Sequence, residues 1–333
     1  MAKLKTIDTH AHILTDETMG IIGKEAPKIA PKLTPLENDM FVLDVAGTPY
    51  RPFPRGGWDL EQRLKDMATS DVDMQVLSNT PQTFLYSEDG SLNATVAAIQ
   101  NDQIAKTVKA HPDRFHGIAT LPLQAPEKAA AELRRAMTTL GLKGAQIGSN
   151  VNGKNLDEPS LEPVWAAANE LKAFIMVHPT QVSGGGDRLK SYYLANFIGN
   201  PLDSTIAAAS LVFGGVIERY PNIKFLFVHG GGFVPYQIGR FSHGWKVRPE
   251  PQLKLKSPPD ASFARLWFDT ILHGKPALEF LVSSCGPARI VLGSDYPYDM
   301  GTFECVRQVR ALSVSDADKD TILSSGPLKL IGA

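Results

Sequence analysis

Cysteine is scarce in this 333-residue chain, which contains only Cys285 and Cys305. They fall on separate predicted segments, which argues against a disulfide framework and is typical of a reducing compartment. Long apolar runs are lacking as well, since no stretch of about 18 uncharged apolar residues occurs and no apolar run follows a basic start. We therefore interpret both cysteines as core thiols. We expect a cytoplasmic protein without a signal peptide or a membrane partner.

An excess of either charge is also lacking. The chain has 34 basic and 35 acidic residues, for a net charge of −1. A surface that binds nucleic acid or an anionic membrane needs a local basic excess, so this balance argues against both partners. Small neutral or acidic ligands remain possible. The length is compatible with one large α/β barrel, because such domains routinely exceed about 250 residues.

Short apolar runs alternate with longer amphipathic ones along the chain, a pattern typical of βα units and a parallel sheet. The apolar runs are rich in Val, Ile, Leu and Phe, as strands buried on both faces require. Eight such runs indicate closure into a barrel, with residues 1–333 as one domain. The predicted strands are 4–8, 74–78, 115–121, 144–148, 174–178, 225–229, 266–270 and 290–294.

Helical periodicity occurs between these runs, and some of the helix boundaries can be read from the sequence. Pro126 begins one predicted helix and Gly141 follows it, the positions that these residues favour. A final pattern from Ser315 onward predicts a capped terminal helix. The other predicted helices are 60–69, 94–110, 126–140, 160–171, 205–219, 276–284 and 303–312.

Two long loops are predicted on the side where the active sites of barrels lie. Residues 14–58 are dense in Pro, Gly and Thr and follow the first strand, so we interpret them as a lid or substrate wall. Residues 180–201 contain Gly184, Gly185 and Gly186 and follow the fifth strand. We expect this second loop to be flexible, because no Lys-Ser/Thr pair and no immediate helix supports a phosphate cradle.

The chemistry-bearing residues begin with His10 and His12. Side chains repeat every two residues on a strand, so both imidazoles point to one side. Taken alone this pair is ambiguous, but His178, His229 and Asp295 end or follow three later predicted strands. The carboxyl ends of parallel barrel strands open on one face. We therefore expect all five residues to converge there.

Three imidazoles, a carboxylate and an open position suit a divalent ion that activates water or polarises an oxygen. Nitrogen-rich ligation favours zinc, while the carboxylate keeps manganese, iron and cobalt possible. The fourth strand ends in Gln146-Ile147-Gly148 rather than in lysine, so we predict one metal ion and no lysine-bridged pair. We interpret His229, which precedes three glycines, as the general acid/base.

Four sequence motifs contain these residues: Asp8-Thr9-His10-Ala11-His12, His178-Pro179, His229-Gly230-Gly231-Gly232 and Gly293-Ser294-Asp295-Tyr296-Pro297. Together they resemble the motifs of the amidohydrolase superfamily. More narrowly, the chain is similar to the branch of metal-dependent decarboxylases typified by α-amino-β-carboxymuconate-ε-semialdehyde decarboxylase. This resemblance implies a distorted (β/α)8 barrel with one ion held by His10, His12, His178 and Asp295. It also implies that His229 activates a metal-bound water and that Asp295 takes part in proton transfer.

The resemblance further implies a homodimer and two arginines that hold substrate carboxylates. Arg51 matches one of them, and Arg240 matches the other, which comes from the neighbouring subunit. A guanidinium suits this role because it grips a carboxylate in two places, although surface solvation is the alternative. Tyr192 stands where the branch has a pocket tryptophan, and Thr180 where it has an aromatic residue. The pocket is therefore expected to be rebuilt with smaller, more polar groups.

The function predicted from these residues is removal of CO2 from a small unsaturated or aromatic carboxylic acid. The alternative is a metal-dependent hydrolase of the same superfamily, acting on an amide, a lactone or a carbon–carbon bond, because both reactions use the same constellation. A barrel used only for binding is a third possibility, but such a protein should have lost at least one ligand. His273, after the seventh strand, is a weaker candidate for a substrate contact.

Overall fold

The structure is a computed structural model that describes residues 5–180, 182 and 186–332. The predicted start of the first strand at Leu4 and the predicted flexibility of Gly184 and Gly185 concern residues outside these ranges. Within them the chain forms twelve strands. In chain order they are β1 (Ile7–Ile13), β2 (Lys32–Pro35), β3 (Met40–Val45), β4 (Thr48–Pro54), β5 (Met74–Asn79), β6 (Phe115–Gly117), β7 (Ala119–Thr120), β8 (Gly144–Gly148), β9 (Phe174–His178), β10 (Lys224–Phe227), β11 (Trp267–Asp269) and β12 (Ile290–Val291).

The described residues also form thirteen α-helices, besides short 3-10 and π segments. They are α1 (Asp16–Glu25), α2 (Leu60–Thr69), α3 (Gly90–Ala110), α4 (Pro126–Thr138), α5 (Glu162–Glu170), α6 (Asn200–Phe213), α7 (Val216–Arg219), α8 (Val234–Val247), α9 (Pro259–Phe263), α10 (Lys275–Cys285), α11 (Cys305–Arg310), α12 (Asp316–Asp320) and α13 (Gly326–Ile331). No helix in the described ranges is both long enough and apolar enough to cross a membrane.

The strands form a parallel barrel of eight positions, in which β6 and β7 share one position interrupted at Ile118. One sheet has the order β1-β5-β6 and the other the order β7 to β12. The Ile118 amide donates to the Leu77 carbonyl (2.9 Å) and joins the two sheets on one side. On the other side the Thr9 amide donates to the Leu292 carbonyl (2.8 Å). The predicted distorted (β/α)8 barrel is confirmed.

Alternate side chains of the barrel strands fill its interior. Met74, Phe174 and Trp267 are among them, and Leu330 and Ile331 of α13 pack against the same cluster. The opposite faces of the strands pack under the helices, as Phe225 and Phe227 do. Because both faces are buried, apolar side chains dominate the strands. Polar side chains such as those of His178 and Asp295 lie instead at or beyond the carboxyl ends of the strands.

The prediction that residues 14–58 are irregular is wrong. They contain helix α1 and an antiparallel sheet of β2, β3 and β4. The Thr15 side chain caps α1 by accepting from the Thr18 amide, and Leu43, Val45 and Phe53 bury a core of their own with Trp58. The alternating pattern of this sheet is short and is interrupted by prolines and glycines, which explains why the sequence predicted a loop here.

Several boundaries also differ from the predictions. The first strand runs to Ile13, so His10 and His12 lie inside it rather than beyond its end. The predicted helix 205–219 is two helices, because the chain turns at Gly214-Gly215, where Gly215 has φ 72°. Helices α1, α8 and α9 lack a sequence prediction. Cys305 is buried as expected, whereas Cys285 at the end of α10 is only partly buried.

Candidate metal centre and active site

The centre of the candidate site is formed by the two histidines of β1. His10 and His12 are fully buried and lie on the same face of the strand, so their Nε2 atoms approach to 3.1 Å. Asp295 Oδ1 lies 3.2 Å from each of these nitrogen atoms. Asp295 follows β12 in a left-handed conformation (φ 56°), and its amide donates to the His10 carbonyl (2.9 Å). This bond fixes the carboxylate against β1.

Two further histidines complete the cluster. His178 ends β9, and its Nε2 lies 4.0 Å from Asp295 Oδ1. His229 follows β10 in a single 3-10 turn, and its Nε2 lies 3.4 Å from Asp295 Oδ2. One ligand atom from each of His10, His178, His229 and Asp295 lies within 4.8 Å of the others. The five residues predicted to converge are therefore brought together.

The Nδ1 atom of each of three histidines faces a carboxylate or carbonyl oxygen that accepts a hydrogen bond. His10 Nδ1 donates to Asp269 Oδ2 (2.7 Å), and His178 Nδ1 donates to the Pro179 carbonyl (2.9 Å). His12 Nδ1 lies 3.1 Å from the Asn79 carbonyl. Such partners keep the proton on Nδ1 and turn Nε2 inward, as in metal-binding histidines.

This arrangement fits a divalent ion. Ligands about 2.1 Å from one ion lie about 3–4 Å from one another. The distance between the Nε2 atoms of His10 and His12, and the three distances from histidine nitrogen atoms to Asp295 Oδ1, fall in this range. His178 Nε2 is buried and has no hydrogen-bond partner among the described residues. An unpaired buried nitrogen is unfavourable, and a bound cation would satisfy it. The cluster thus has the donor set and spacing of a His/Asp metal site.

The pKa values of the cluster follow from burial and from the two carboxylates. Burial lowers the pKa of His12 to about 4 and that of His178 to about 3. Burial opposes protonation of His10 too, but Asp295 and Asp269 outweigh it and raise the pKa of His10 to about 10. Without a metal, the cluster at neutral pH therefore holds one extra proton on His10 and neutral rings at His12 and His178.

A network of buried hydrogen bonds holds the backbone of β1 in place. Asp8 Oδ1 accepts from the amides of His10 (3.0 Å) and Ser294 (3.0 Å), and its Oδ2 accepts from Gln75 Nε2 (3.0 Å). Arg63, fully buried, donates to Gln75 Oε1 (2.9 Å) and to the His12 carbonyl. The network connects the backbones on both sides of the cluster, and its members Gln75 and Arg63 belong to no motif found from the sequence.

The three glycines after His229 have a structural explanation. All three have positive φ, at 61°, 75° and 62°. A Cβ atom would lie 2.6 Å from Leu272 at Gly230, 2.3 Å from Phe268 at Gly231 and 2.1 Å from the Pro201 carbonyl oxygen at Gly232. The glycines therefore allow the turn to pack closely against protein, whereas the sequence suggested a close approach by ligand or water.

A cavity of about 780 Å³ opens onto the cluster. His178, His229 and Asp295 form part of its wall. Residues 14–58, an insertion after the first strand, contribute Tyr50, and the segment after β12 contributes Tyr298. The remaining lining residues are Val45, Ala46, Thr48, Pro81, Gln82, Phe84, Leu85, Ser87, Glu88, Pro179, Thr180, Asn196, Phe197, Asn200, Pro201, Gly232, Phe233, Ile271, Leu272, His273 and Met300.

The three predicted substrate contacts lie outside this lining. Arg51 is exposed on β4, where successive side chains point to opposite faces and its neighbour Tyr50 faces the cavity. Arg240 is exposed on α8, and Tyr192 is 85% exposed. In contrast, His273, the weaker candidate, does line the cavity. The described lining of one chain thus contains no lysine or arginine.

Two residues of the site were missed from the sequence. Tyr298 lies with its ring 5.2 Å from that of His12 and donates from its hydroxyl to Gln82 Oε1 (2.6 Å). Burial raises the pKa of Tyr298. Asp269 ends β11 and binds His10 Nδ1. Its position within the seventh predicted strand, near the carboxyl end, was a usable signal, whereas nothing in the sequence pattern marked Tyr298.

Comparison with known proteins identifies the family of this chain. The sequence profile of the amidohydrolase family matches residues 7–333. The chain belongs to this family, and the family resemblance inferred from the motifs is confirmed.

The chain is similar to particular proteins of known sequence or structure. Over 291 residues the chain is 38% identical to the 2-amino-3-carboxymuconate-6-semialdehyde decarboxylase of Dictyostelium discoideum, covering 86% of this chain and 80% of that protein. The structure of 5-carboxyvanillate decarboxylase from Sphingomonas paucimobilis has a TM-score of 0.85 at 24% identity, over 99% of both chains. That of a 5-carboxyvanillate decarboxylase from Novosphingobium aromaticivorans, solved with bound manganese, has a TM-score of 0.84 at 24% identity, over 99% of this chain and 97% of that one.

Proposed function

We propose that the protein is a metal-dependent, non-oxidative decarboxylase of a small unsaturated or aromatic carboxylic acid. The observation that carries the proposal is the buried His/Asp cluster, which opens onto a cavity with His229 beside Asp295. The decarboxylase relatives support the reaction type. The substrate classes that we favour are the carboxymuconate semialdehyde and hydroxybenzoate types.

His10, His12, His178 and Asp295 are the proposed ligands of one divalent ion. Three imidazole nitrogens favour zinc, and the carboxylate leaves manganese, iron and cobalt as alternatives. Asp295 Oδ1 is the common neighbour of the three nitrogen atoms, at 3.2, 3.2 and 4.0 Å. A divalent ion bound there would supply a positive charge that stabilises negative charge developing on the substrate.

His229 is the proposed proton donor. Its Nε2 faces Asp295 Oδ2 at 3.4 Å, and the residue lines the cavity, so it can reach both the cluster and a bound acid. Decarboxylation breaks the bond between the carboxylate carbon and its neighbour and leaves the electron pair on that neighbour. A proton delivered by His229 replaces the departing CO2 there, with Asp295 as the partner that orients the imidazole.

The cavity suits a planar substrate. Aromatic rings of Tyr50, Phe84, Phe197, Phe233 and Tyr298 contribute to its walls, and such rings pack well against conjugated systems. The insertion supplies Tyr50 together with Val45, Ala46 and Thr48. We therefore interpret residues 14–58 as a substrate wall within one domain that spans residues 1–333.

The missing positive charge supports a homodimer. A second copy that brings Arg240 to the cavity would supply a cation, which the described lining of one chain lacks. Helix α8 begins next to Phe233, a cavity residue, and Tyr236 on this helix is 78% exposed. Arg51, which follows the cavity residue Tyr50 in sequence, and Tyr192 are both exposed, and we propose that they contact the substrate in the same assembly. The two unpaired cysteines support a cytoplasmic location.

Turnover of a substrate panel tests this function. Metal-loaded protein is offered hydroxybenzoates and carboxymuconates, with amides and lactones in parallel, and CO2 and hydrolysis products are measured. The proposal predicts CO2 from at least one acid. Lactone or amide turnover without CO2 would refute it in favour of the hydrolase alternative, which none of the relatives named above supports.

A further inference from the structure

The carboxylate of Asp269 contacts two separate parts of the centre. It is fully buried at the end of β11. Its Oδ2 accepts from His10 Nδ1 (2.7 Å), and its Oδ1 accepts from the Gly230 amide (2.8 Å) and, at 3.2 Å, from the Ile271 amide. One side chain thus holds a cluster histidine with one oxygen and the turn after β10 with the other.

The turn that Asp269 holds is the one that presents His229. His229 has φ 56°, a left-handed conformation that a residue with a Cβ adopts only at a cost, and Gly230 follows with φ 61°. The hydrogen bond from the Gly230 amide restrains this turn directly beside His229. The position of the imidazole relative to Asp295 therefore depends on an oxygen of Asp269.

The neighbouring strand leaves room for this carboxylate. A Cβ on Gly293 would lie 2.9 Å from Asp269 Cβ, 3.1 Å from His10 Cβ and 3.2 Å from Asp269 Oδ2. Any larger residue at 293 would press on the Asp269–His10 pair. The pair is thus tightly enclosed. Asp269 contacts the Nδ1 atom of His10, on the side of the ring opposite the Nε2 atom that faces Asp295.

We propose that Asp269 is a positioning residue that couples the metal site to the proton donor. It orients His10 toward the metal and fixes the turn that carries His229. The inference rests on the proposed function, because it takes His10 as a ligand and His229 as the donor. A carboxylate accepts on both oxygens, whereas an asparagine amide accepts on one and donates on the other. Asp269→Asn therefore retains one of the two contacts at most.

Cobalt binding tests the proposal without relying on activity. Apo wild-type protein, Asp269→Asn and the matched control Asp73→Asn are titrated with Co²⁺ against a competing chelator, and visible spectra are recorded. Asp73 is a suitable control because its carboxylate binds Thr6, before β1, and contacts no cluster histidine. We expect the Kd of Asp269→Asn to rise about 10–100-fold with a changed cobalt spectrum. The control should match wild type.

The contact between Asp269 and the Gly230 amide is tested by comparing the changes in kcat and in KM. With saturating metal, Asp269→Asn should lower kcat more than it raises KM, because the displaced group is the proton donor and not a substrate contact. If Asp269→Asn fails to fold, Gly293→Ala serves as the second variant, because its methyl group would press on Asp269 and His10. We expect Gly293→Ala to raise the Kd for Co²⁺ as well. A Kd and a spectrum equal to those of wild type would overturn the proposal.

The outcomes separate this inference from the proposed function. Wild-type protein that binds Co²⁺ but releases no CO2 from any acid contradicts the decarboxylase function only. The Kd and spectra then still decide the role of Asp269. Wild-type protein that binds no Co²⁺ overturns the metal site and this inference together.

Discussion

His10 Nε2 and His12 Nε2 lie 3.1 Å apart, while the Nδ1 atom of each ring donates to an acceptor on the outer side of the cluster. The lone pairs of two imidazoles therefore converge, with the Asp295 carboxylate 3.2 Å from both. Such a convergence of electron-rich atoms is stable only with a cation between them, either a proton or a metal ion. Because both rings are fully buried, water cannot take the place of that cation.

Removal of a cluster histidine should remove the metal. We expect His178→Ala to weaken metal binding by more than about 100-fold. Substitution of a residue that only hydrogen-bonds to a metal ligand already weakens metal binding by about 10–100-fold. Metal analysis of the purified variant, after dialysis against a chelator, measures the loss. The matched control is His111→Ala, at the end of α3 and the opposite end of the barrel, which should retain the metal of wild type. Full metal content in His178→Ala would show that the ligand set is wrong.

His229 should matter for turnover and not for metal content. Its replacement in His229→Gln should lower kcat by about 10²–10⁴-fold, the usual effect of losing a positioned acid or base. Steady-state kinetics and metal analysis on the same preparation separate the two roles. Because His229 lies within the cluster, loss of the metal from this variant would instead identify it as a ligand.

Arg240 should act across a dimer. Arg240→Ala and His229→Gln are each expected to be inactive alone, but mixed dimers place an intact Arg240 beside an intact His229. Equal, random mixing should restore about a quarter of wild-type activity, because half of the dimers are mixed and each has one complete site. Co-expression with two different affinity tags checks this outcome. Activity no greater than the sum of the two parents would contradict an arginine supplied by the partner.

The metal-free protein should lose stability on both sides of about pH 6.5, the ordinary pKa of histidine. The pKa of His12 is lowered to about 4 and that of His178 to about 3, so the unfolded chain binds more protons below pH 6.5 and acid favours unfolding. The pKa of His10 is raised to about 10, so its contribution is complete below 6.5 and is lost as the pH rises toward 10.

Urea midpoints of the chelated protein at about pH 5, 6.5 and 9 test this dependence. The His178→Ala variant serves as the comparison, since it lacks one of the two neutral histidines and should lose less stability in acid. A midpoint in wild type that stays constant across this range, or an acid loss unchanged in the variant, would contradict the assignment.

The barrel and the cluster were predictable because each depends on local patterns. Apolar runs that end in His178 or precede Asp295 place these residues at one face once the strands are parallel. The position of a side chain on a short strand is harder to infer. Tyr50 faces the cavity and Arg51 does not, which depends on the register of a sheet that the sequence barely indicated. The position of Asp269 near a strand end was visible in the sequence, but its two contacts, with His10 of β1 and with the turn after β10, appear only in the folded structure.

The stoichiometry of CO2 release tests the central claim most directly. Metal-loaded protein and an active acid from the panel are compared with the same protein after chelation and after metal is restored. We predict one CO2 for each acid consumed, loss of the reaction on chelation and its return with metal. Consumption of the acid without CO2, or CO2 release that persists in the chelated protein, would contradict a metal-dependent decarboxylase.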